Sequence, residues 1–282
     1  MKIQPVINSP ALTLKTKREI FLCVADLHLG YEFKLAELGI KIPNQTPKIL
    51  ERLEDLIEKT RTTHLMVLGD LKHQILTIFP HKFRISSFLK KLTKLTKISI
   101  IPGNHDGDVS KALPDDVFLY PSQGTLIEEK ETIALIHGHA WPFPELFKAD
   151  YLIMGHNHPA IQFRDSLGFR SIEPAWIRGR LDIRKLVAGY LKYVGIRTKD
   201  PLKTFQERFD VMPKQPNLIM LPTFNHLLGG LPLNLREPKL LGPILQADSE
   251  GIRNADAFLL DGSHLGRIRD LERLAGPEAS KS

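Results

Sequence analysis

The chain has one cysteine in 282 residues. No disulfide can form within it, and a reducing, cytoplasmic setting is expected. Cys23 lies inside the apolar run 20–25 and reads as a buried structural thiol rather than a nucleophile. No apolar run approaches the length that crosses a bilayer, and the N-terminus lacks the apolar core of a signal peptide, so no membrane partner is expected. Internal repeats and low-complexity tracts are missing. So are zinc-finger, helix-turn-helix and RNA-recognition signatures, which argues against base-specific reading. Between Asp70 and Asp106 there is no Asp or Glu, against seven Lys or Arg. With a formal charge of +7, this favours an anionic partner if those residues flank a site; basic helix faces often do no more than meet water.

The chain is 42% hydrophobic, enough for one large domain or a domain with an appendage. Apolar runs at 20–25, 63–68 and 98–101 read as buried strands. Two amphipathic helices separate them: one starts at Thr46, a capping hydroxyl, with Pro47 at the first helical position; the other spans 80–94, with Phe83, Phe88, Leu89 and Leu92 inward. That alternation predicts parallel strands with crossover helices. From Val117 the pattern becomes β-rich, with a hairpin at Glu129-Lys130-Glu131 and short strands at 151–154, 161–163 and 175–177. An edge strand is expected at 257–260. The expectation is an α/β fold of two stacked sheets with helices outside. A core over 1–180 is followed by a basic helical insertion or cap at 181–216, completion of the core over 217–275, and a disordered tail at 276–282.

Five polar motifs punctuate this pattern, four of them directly after a strand. They are Asp26-Leu27-His28, Gly69-Asp70-Leu71-Lys72-His73, Gly103-Asn104-His105-Asp106, His137-Gly138-His139 and Gly155-His156-Asn157-His158. Seven of the eleven histidines lie in them; His64, His81, His226 and His264 are scattered. Ligands of open α/β sheets sit at the C-terminal ends of the strands. An extended backbone across 26–28 and 156–158 would point both outer side chains of each motif the same way.

These motifs resemble the signature of the calcineurin-like metallophosphoesterases, which is Asp-x-His, Gly-Asp, Gly-Asn-His-Asp/Glu, His and Gly-His-x-His. The sequences around them resemble the branch holding the ligase-associated DNA-damage endonucleases of bacteria and the archaeal relatives of the SbcD nuclease. Leu221-Pro222-Thr223-Phe224-Asn225 with Gly229-Gly230 is similar to that branch too. The resemblance implies a four-layer α-β-β-α sandwich. It implies two divalent ions, manganese foremost, with iron, zinc or nickel as alternatives. Asp26, His28 and His158 would hold one ion, Asn104, His137 and His156 the other, and Asp70 would bridge them. Such a pair clamps the attacking and leaving oxygens of an in-line displacement at phosphorus. His105 would protonate the leaving group, with Asp106 orienting it. His73 is either a contact to substrate phosphate or a support; His139 is open in the same way; Arg178 is a candidate phosphate contact. The function implied is a phosphodiesterase, foremost a DNA or RNA nuclease of repair or processing, partnered with a helicase or ligase and able to dimerise. A small-molecule phosphoesterase and a non-catalytic scaffold are the alternatives.

Overall fold

The computed structural model describes residues 1–74 and 81–276, with the backbone alone for 81–83. The helix start expected at Pro80, the inward side chain of Phe83 and the tail after Gly276 lie outside the described residues. The first sheet runs β1 (Lys2–Pro5), β2 (Leu12–Lys15), β3 (Ile20–Val24), β4 (His64–Leu68), β5 (Lys97–Ile101) and β6 (Val117–Leu119), in spatial as in chain order. From β3 to β6 the strands are parallel. The second sheet comprises β7 (Thr125–Glu128), β8 (Thr132–Ile136), β9 (Tyr151–Met154), β10 (Pro159–Arg164), β11 (Arg170–Arg180), β12 (Asn217–Met220), β13 (Leu231–Pro232), β14 (Asp256–Leu259) and β15 (His264–Arg267). Its β8, β9 and β12 are parallel to one another. The long strand β11 pairs with β10 through its first half, then with β12 and β14 through its second. The strand expected at an edge is therefore covered: β15 pairs with β14 and takes the edge.

The helices are α1 (Tyr31–Glu37), α2 (Thr46–Thr60), α3 (His81–Leu92), α4 (Ile183–Tyr193) and α5 (Pro201–Phe209), besides shorter turns. In α2 the residues Ile49, Leu50, Leu53, Leu56 and Ile57 form one buried stripe, as their spacing predicts. Thr46 is already helical, however, and the expected hydroxyl cap is replaced by a side chain two residues earlier. The Asn44 side-chain oxygen accepts the Thr46 N–H at 2.9 Å. The short α1 has Tyr31, Phe33 and Leu35 at alternate rather than helical spacing, and β1 is four residues long, so sequence reading passes over both.

Alternation along the strands builds four layers. Leu22 and Val24 of β3 face α2 and α3, while Phe21 and Cys23 face the second sheet. Ile133, Leu135, Ile153, Trp176 and Ile219 meet them from the second sheet. Ala134, Ile136, Leu218 and Met220 point outward, where Leu186, Val187, Tyr190 and Phe205 cover them. The helical pair within 181–216, expected as an insertion or cap, thus supplies the outer layer of the second sheet. Each such apolar side chain contributes about 1.5–3 kcal/mol by leaving water. Among the described residues no helix is long and apolar enough to cross a membrane.

The thiol of Cys23 is fully buried, and burial pushes its pKa upward. Native protein is expected to leave it unmodified by a thiol reagent such as dithionitrobenzoate at mildly alkaline pH, with one equivalent reacting in guanidinium chloride. Rapid reaction of folded protein would contradict the packing between the sheets.

Candidate metal centre

Parallel strands end together, so β3, β4 and β5 of one sheet and β8, β9 and β12 of the other bring their C-termini to one rim. The motif loops continue the sheet's pairing past the strands. The N–H groups of Asp26 and His28 donate to the carbonyls of Gly69 and Asp70 at 3.1 and 2.8 Å, and Gly155 N–H to His137 at 3.1 Å. The backbone there is not extended, contrary to the expectation for the two x-separated motifs. Asp26, His28, Asp70, His156 and His158 have φ of 59°, 42°, 50°, 72° and 44°. Left-handed residues end the strand and turn each side chain toward the gap between the sheets, at about 1–3 kcal/mol each for a non-glycine. Glycine allows the closest approaches. Gly69, at φ 83°, passes against the His137 ring, and a Cβ at Gly103 would overlap the Asp70 carboxylate.

Two trios result: Asp26, His28 and His158, and Asp70, His137 and His156. Within each, one ligand-type atom per residue lies within 4.8 Å of the others. Asp70 stands between them, with Oδ2 3.4 Å from His28 Nε2 and 3.5 Å from His137 Nε2. Its other oxygen accepts the His105 N–H at 2.8 Å. Asn104 Oδ1 lies 3.4 Å from His137 Nε2 on the exposed side of the second trio. His137 donates from Nδ1 to the Leu68 carbonyl at 2.8 Å, which leaves Nε2 facing Asp70 and Asn104.

The electrostatics follow from burial and from this crowding. Burial pushes His28 down to about 3 despite Asp70 and Asp26. His156 and His139 fall to about 4, through burial and then the neighbouring His137. Burial acts the same way on His137, yet its hydrogen bond to Asp70 and the charges of Asp26 and Asp70 hold it up at about 9. Burial would raise Asp70, but His137 and His28 hold its carboxyl well below the usual range.

His73, His105 and His28 form a third group around the first trio. His73 stacks on His105 with ring centroids 5.1 Å apart, and its Nδ1 is 3.2 Å from Nδ1 of His28. His139 lies against His137 and His156, at 5.2 and 6.1 Å between centroids. Asp106 does not orient His105. Its carboxylate accepts the N–H groups of Gly103, Leu71 and Lys72 at 2.9, 3.2 and 3.2 Å, joining the Asn104 loop to the Asp70 loop. The His105 ring is held by the His73 carbonyl instead, 2.6 Å from its Nδ1. Arg178 is not brought here. It lies level with Ile219, one position short of the end of β12, but lines a cavity with Met1, Ile3, Tyr151 and Phe258 between the sheet edges. Most of the basic run after Asp70 is also elsewhere. The helix α3 descends from the rim, so Lys90, Lys91, Lys94 and Lys97 end at the opposite end of the sheet.

The sequence model of the calcineurin-like phosphoesterases matches residues 20–189, which include all five motifs. The chain belongs to the calcineurin-like phosphoesterase family. Among solved structures, this phosphoesterase is similar to the nuclease MPE of Pseudomonas putida, with 20% identity over 94% of this chain and 100% of that one and a TM-score of 0.48. Yfce, a phosphoesterase from E. coli, matches at 20% identity over 52% of this chain and 74% of its own, with a TM-score of 0.35. Curated proteins yield no match.

The family binds divalent metals, and the donor set of this phosphoesterase suits them. Asp26 Oδ1 and His28 Nε2 are buried without a hydrogen bond. Asp26 Oδ1 is 3.2 Å from His158 Nε2, yet outside hydrogen-bonding geometry. Buried acceptors and imidazole nitrogens converging on one point without bonding each other are what a cation would satisfy.

Three supports lay beyond sequence reasoning. Lys72, buried within a motif but assigned no role, donates to the carbonyls of Gln74 and His105, each at 2.6 Å. Thr223 and Asn225 donate to the carbonyls of Asp26 and Leu27, each at 3.0 Å, so the Leu221–Asn225 segment braces the first loop. Asn157 exchanges two hydrogen bonds with the backbone of Leu241 at 3.0 and 2.8 Å. All four residues lie in motifs quoted from the sequence, which named them without giving them a partner.

Two substitutions test the architecture. Gly103→Ala is expected to displace Asp70 and at least halve metal content by plasma mass spectrometry, with the circular dichroism spectrum retained. Asp106→Ala strands three N–H donors at about 1–3 kcal/mol each and is expected to destabilise the fold by roughly 3 kcal/mol or more. A chemical-denaturation midpoint near wild type would contradict that role.

Proposed function

We propose that this phosphoesterase is a metal-dependent phosphodiesterase acting on nucleic acid. Asp26, His28 and His158 hold one divalent ion, Asn104, His137 and His156 a second, and Asp70 serves both. The observation that supports this is the position of Asp70 Oδ2, almost equidistant from His28 and His137. When bound, such ions supply Lewis-acid activation of water and neutralise charge at phosphorus.

The chain's own residues do the rest. His105 donates its Nδ1–H to the His73 carbonyl, so it is the doubly protonated ring that carries a proton on Nε2 to give to the leaving oxygen, after which the ring is neutral. The stacked His73 ring restricts His105 to that pose and can meet a phosphate oxygen beside it. Lys72 anchors the His105 backbone, and Asp106 sets the distance between the two loops. Asn104 is exposed, so the centre opens onto the surface of the rim. A polymer can lie across such a site with its scissile phosphate at the ions, which favours a diester within a strand over a small phosphomonoester.

With added Mn²⁺, hydrolysis of bis-p-nitrophenyl phosphate and of single-stranded DNA or RNA is expected, with the mono-ester turned over poorly. Cleavage of the mono-ester alone would reassign the substrate to small molecules, and no hydrolysis despite bound metal would favour a scaffold. His105→Ala is expected to retain metal and lose about 10²–10⁴-fold in turnover. Equal turnover in that variant would remove His105 from the mechanism.

A further inference from the structure

The course of the chain after β11 carries a second functional surface to the rim. β11 is antiparallel to β12, so it leaves the second sheet at Arg180, on the end opposite the histidines. The helix α4 must then return over the sheet, and its 11 residues span about 16 Å, enough to regain the rim. The contacts agree. Gly189 packs against the Trp141 ring so closely that a Cβ would come within 2.9 Å of it. The rings of Tyr190 and Tyr193 lie 5.7 and 6.4 Å from that of Trp141. Trp141 is two residues beyond His139, whose ring lies beside His137 and His156. The end of α4 is therefore joined through Trp141 to the loop that carries His139.

What stands there is chemically uneven. Tyr193 is 69% exposed although it adjoins an aromatic cluster, and Phe143 is exposed on the neighbouring loop. Lys192, Arg197 and Lys199 flank Tyr193, are exposed, and make no ion pair with another described residue. Opposing charge is limited: the Asp200 side chain caps α5 by accepting the Lys203 N–H. Glu145 is the other carboxylate close to this aromatic cluster. The other lysines of the helical pair are matched, Lys185 with Asp248, Lys203 with Glu207 and Lys214 with Asp150. Arg184 in the first turn of α4 and Arg208 in the last turn of α5 also lack an ion pair among the described residues, but Lys192, Arg197 and Lys199 are the ones within six residues of the exposed ring. An exposed ring among unpaired cations is what holds an unpaired strand: bases stack on the aromatic face while phosphates follow the charge.

Taking the phosphodiesterase reading as its basis, we propose that Tyr193, with Lys192, Arg197 and Lys199, binds single-stranded nucleic acid on the rim and feeds it to the metal centre. Stacking on one ring is worth about 1–3 kcal/mol per base, and it does not distinguish sequences. The surface therefore selects unpaired strands over duplex without reading bases.

The test measures binding apart from hydrolysis. Fluorescence anisotropy of Mn²⁺-supplemented protein would follow a labelled phosphorothioate oligothymidylate of about 20 nucleotides. Tyr193→Ala is expected to weaken binding by about tenfold, and Tyr193→Phe to preserve it. The combined substitution Lys192→Ala, Arg197→Ala and Lys199→Ala is expected to flatten the log–log salt dependence by about 2, at roughly 0.7 per phosphate contact on a single strand. Unchanged affinity and salt slope in these variants would overturn the proposal. So would a homodimer that dissociates in Tyr193→Ala with oligonucleotide affinity intact, because the face would then belong to a second copy. Wild-type hydrolysis of bis-p-nitrophenyl phosphate reads the metal centre separately. Its loss would sink the phosphodiesterase reading while the anisotropy still decided the rim.

Discussion

A carboxylate that must stay ionised where water is largely excluded sets the terms for this structure. Asp70 is 2% exposed, and burial of that kind favours the neutral acid. Its charge survives because His28 and His137 stand within 3.5 Å of one oxygen and the His105 N–H bonds the other. Those three partners come from three separate loops. Each must be held without slack, since a shift of about 1 Å at such a centre loses much of its effect. The surrounding architecture can be understood as the means of holding them.

Two devices do the holding. Parallel strands of two sheets set the loops side by side, and left-handed residues turn the functional side chains inward at the strand ends. That conformation is unfavourable for Asp and His, so it persists only where neighbouring structure enforces it. The enforcing contacts are backbone hydrogen bonds between adjacent loops, and buried polar side chains that join them. Asp106 links the second and third loops, Lys72 ties the second to His105, and Thr223 with Asn225 secures the first. These groups touch none of the proposed chemistry directly, yet they decide whether the donors meet.

The second sheet contributes His137, His139, His156 and His158 to the rim. Its outer helices complete the hydrophobic core through Leu186, Tyr190 and Phe205, and the same packing sets the end of α4 against Trp141, two residues past His139. A region that reads as an appendage by composition is therefore part of the core on one side and presents the proposed binding surface on the other. Burial of the inner stripe and exposure of Tyr193 follow from a single helix direction.

The fold class was legible in the chain itself, and the family resemblance named the residues that the two trios bring together. Apolar runs of about five residues ending in Asp, Asn or His mark buried strands with polar termini, and that pattern depends only on local periodicity and chemistry. Local pattern does not say which residue faces which neighbour. Asp106 beside His105 in sequence invited a pairing, but three N–H groups from two loops lie closer to its carboxylate. Arg178 and the lysines of α3 drew attention by charge, but Arg178 lines a separate cavity at the sheet edges and helix direction carried the lysines from the centre. Conversely, Tyr193 and its flanking cations are unremarkable in the chain and meaningful only at the rim. Identity and spacing along the chain supplied the donors. Tertiary structure decided their partners, because the energies that align buried charges act across space between segments far apart in sequence.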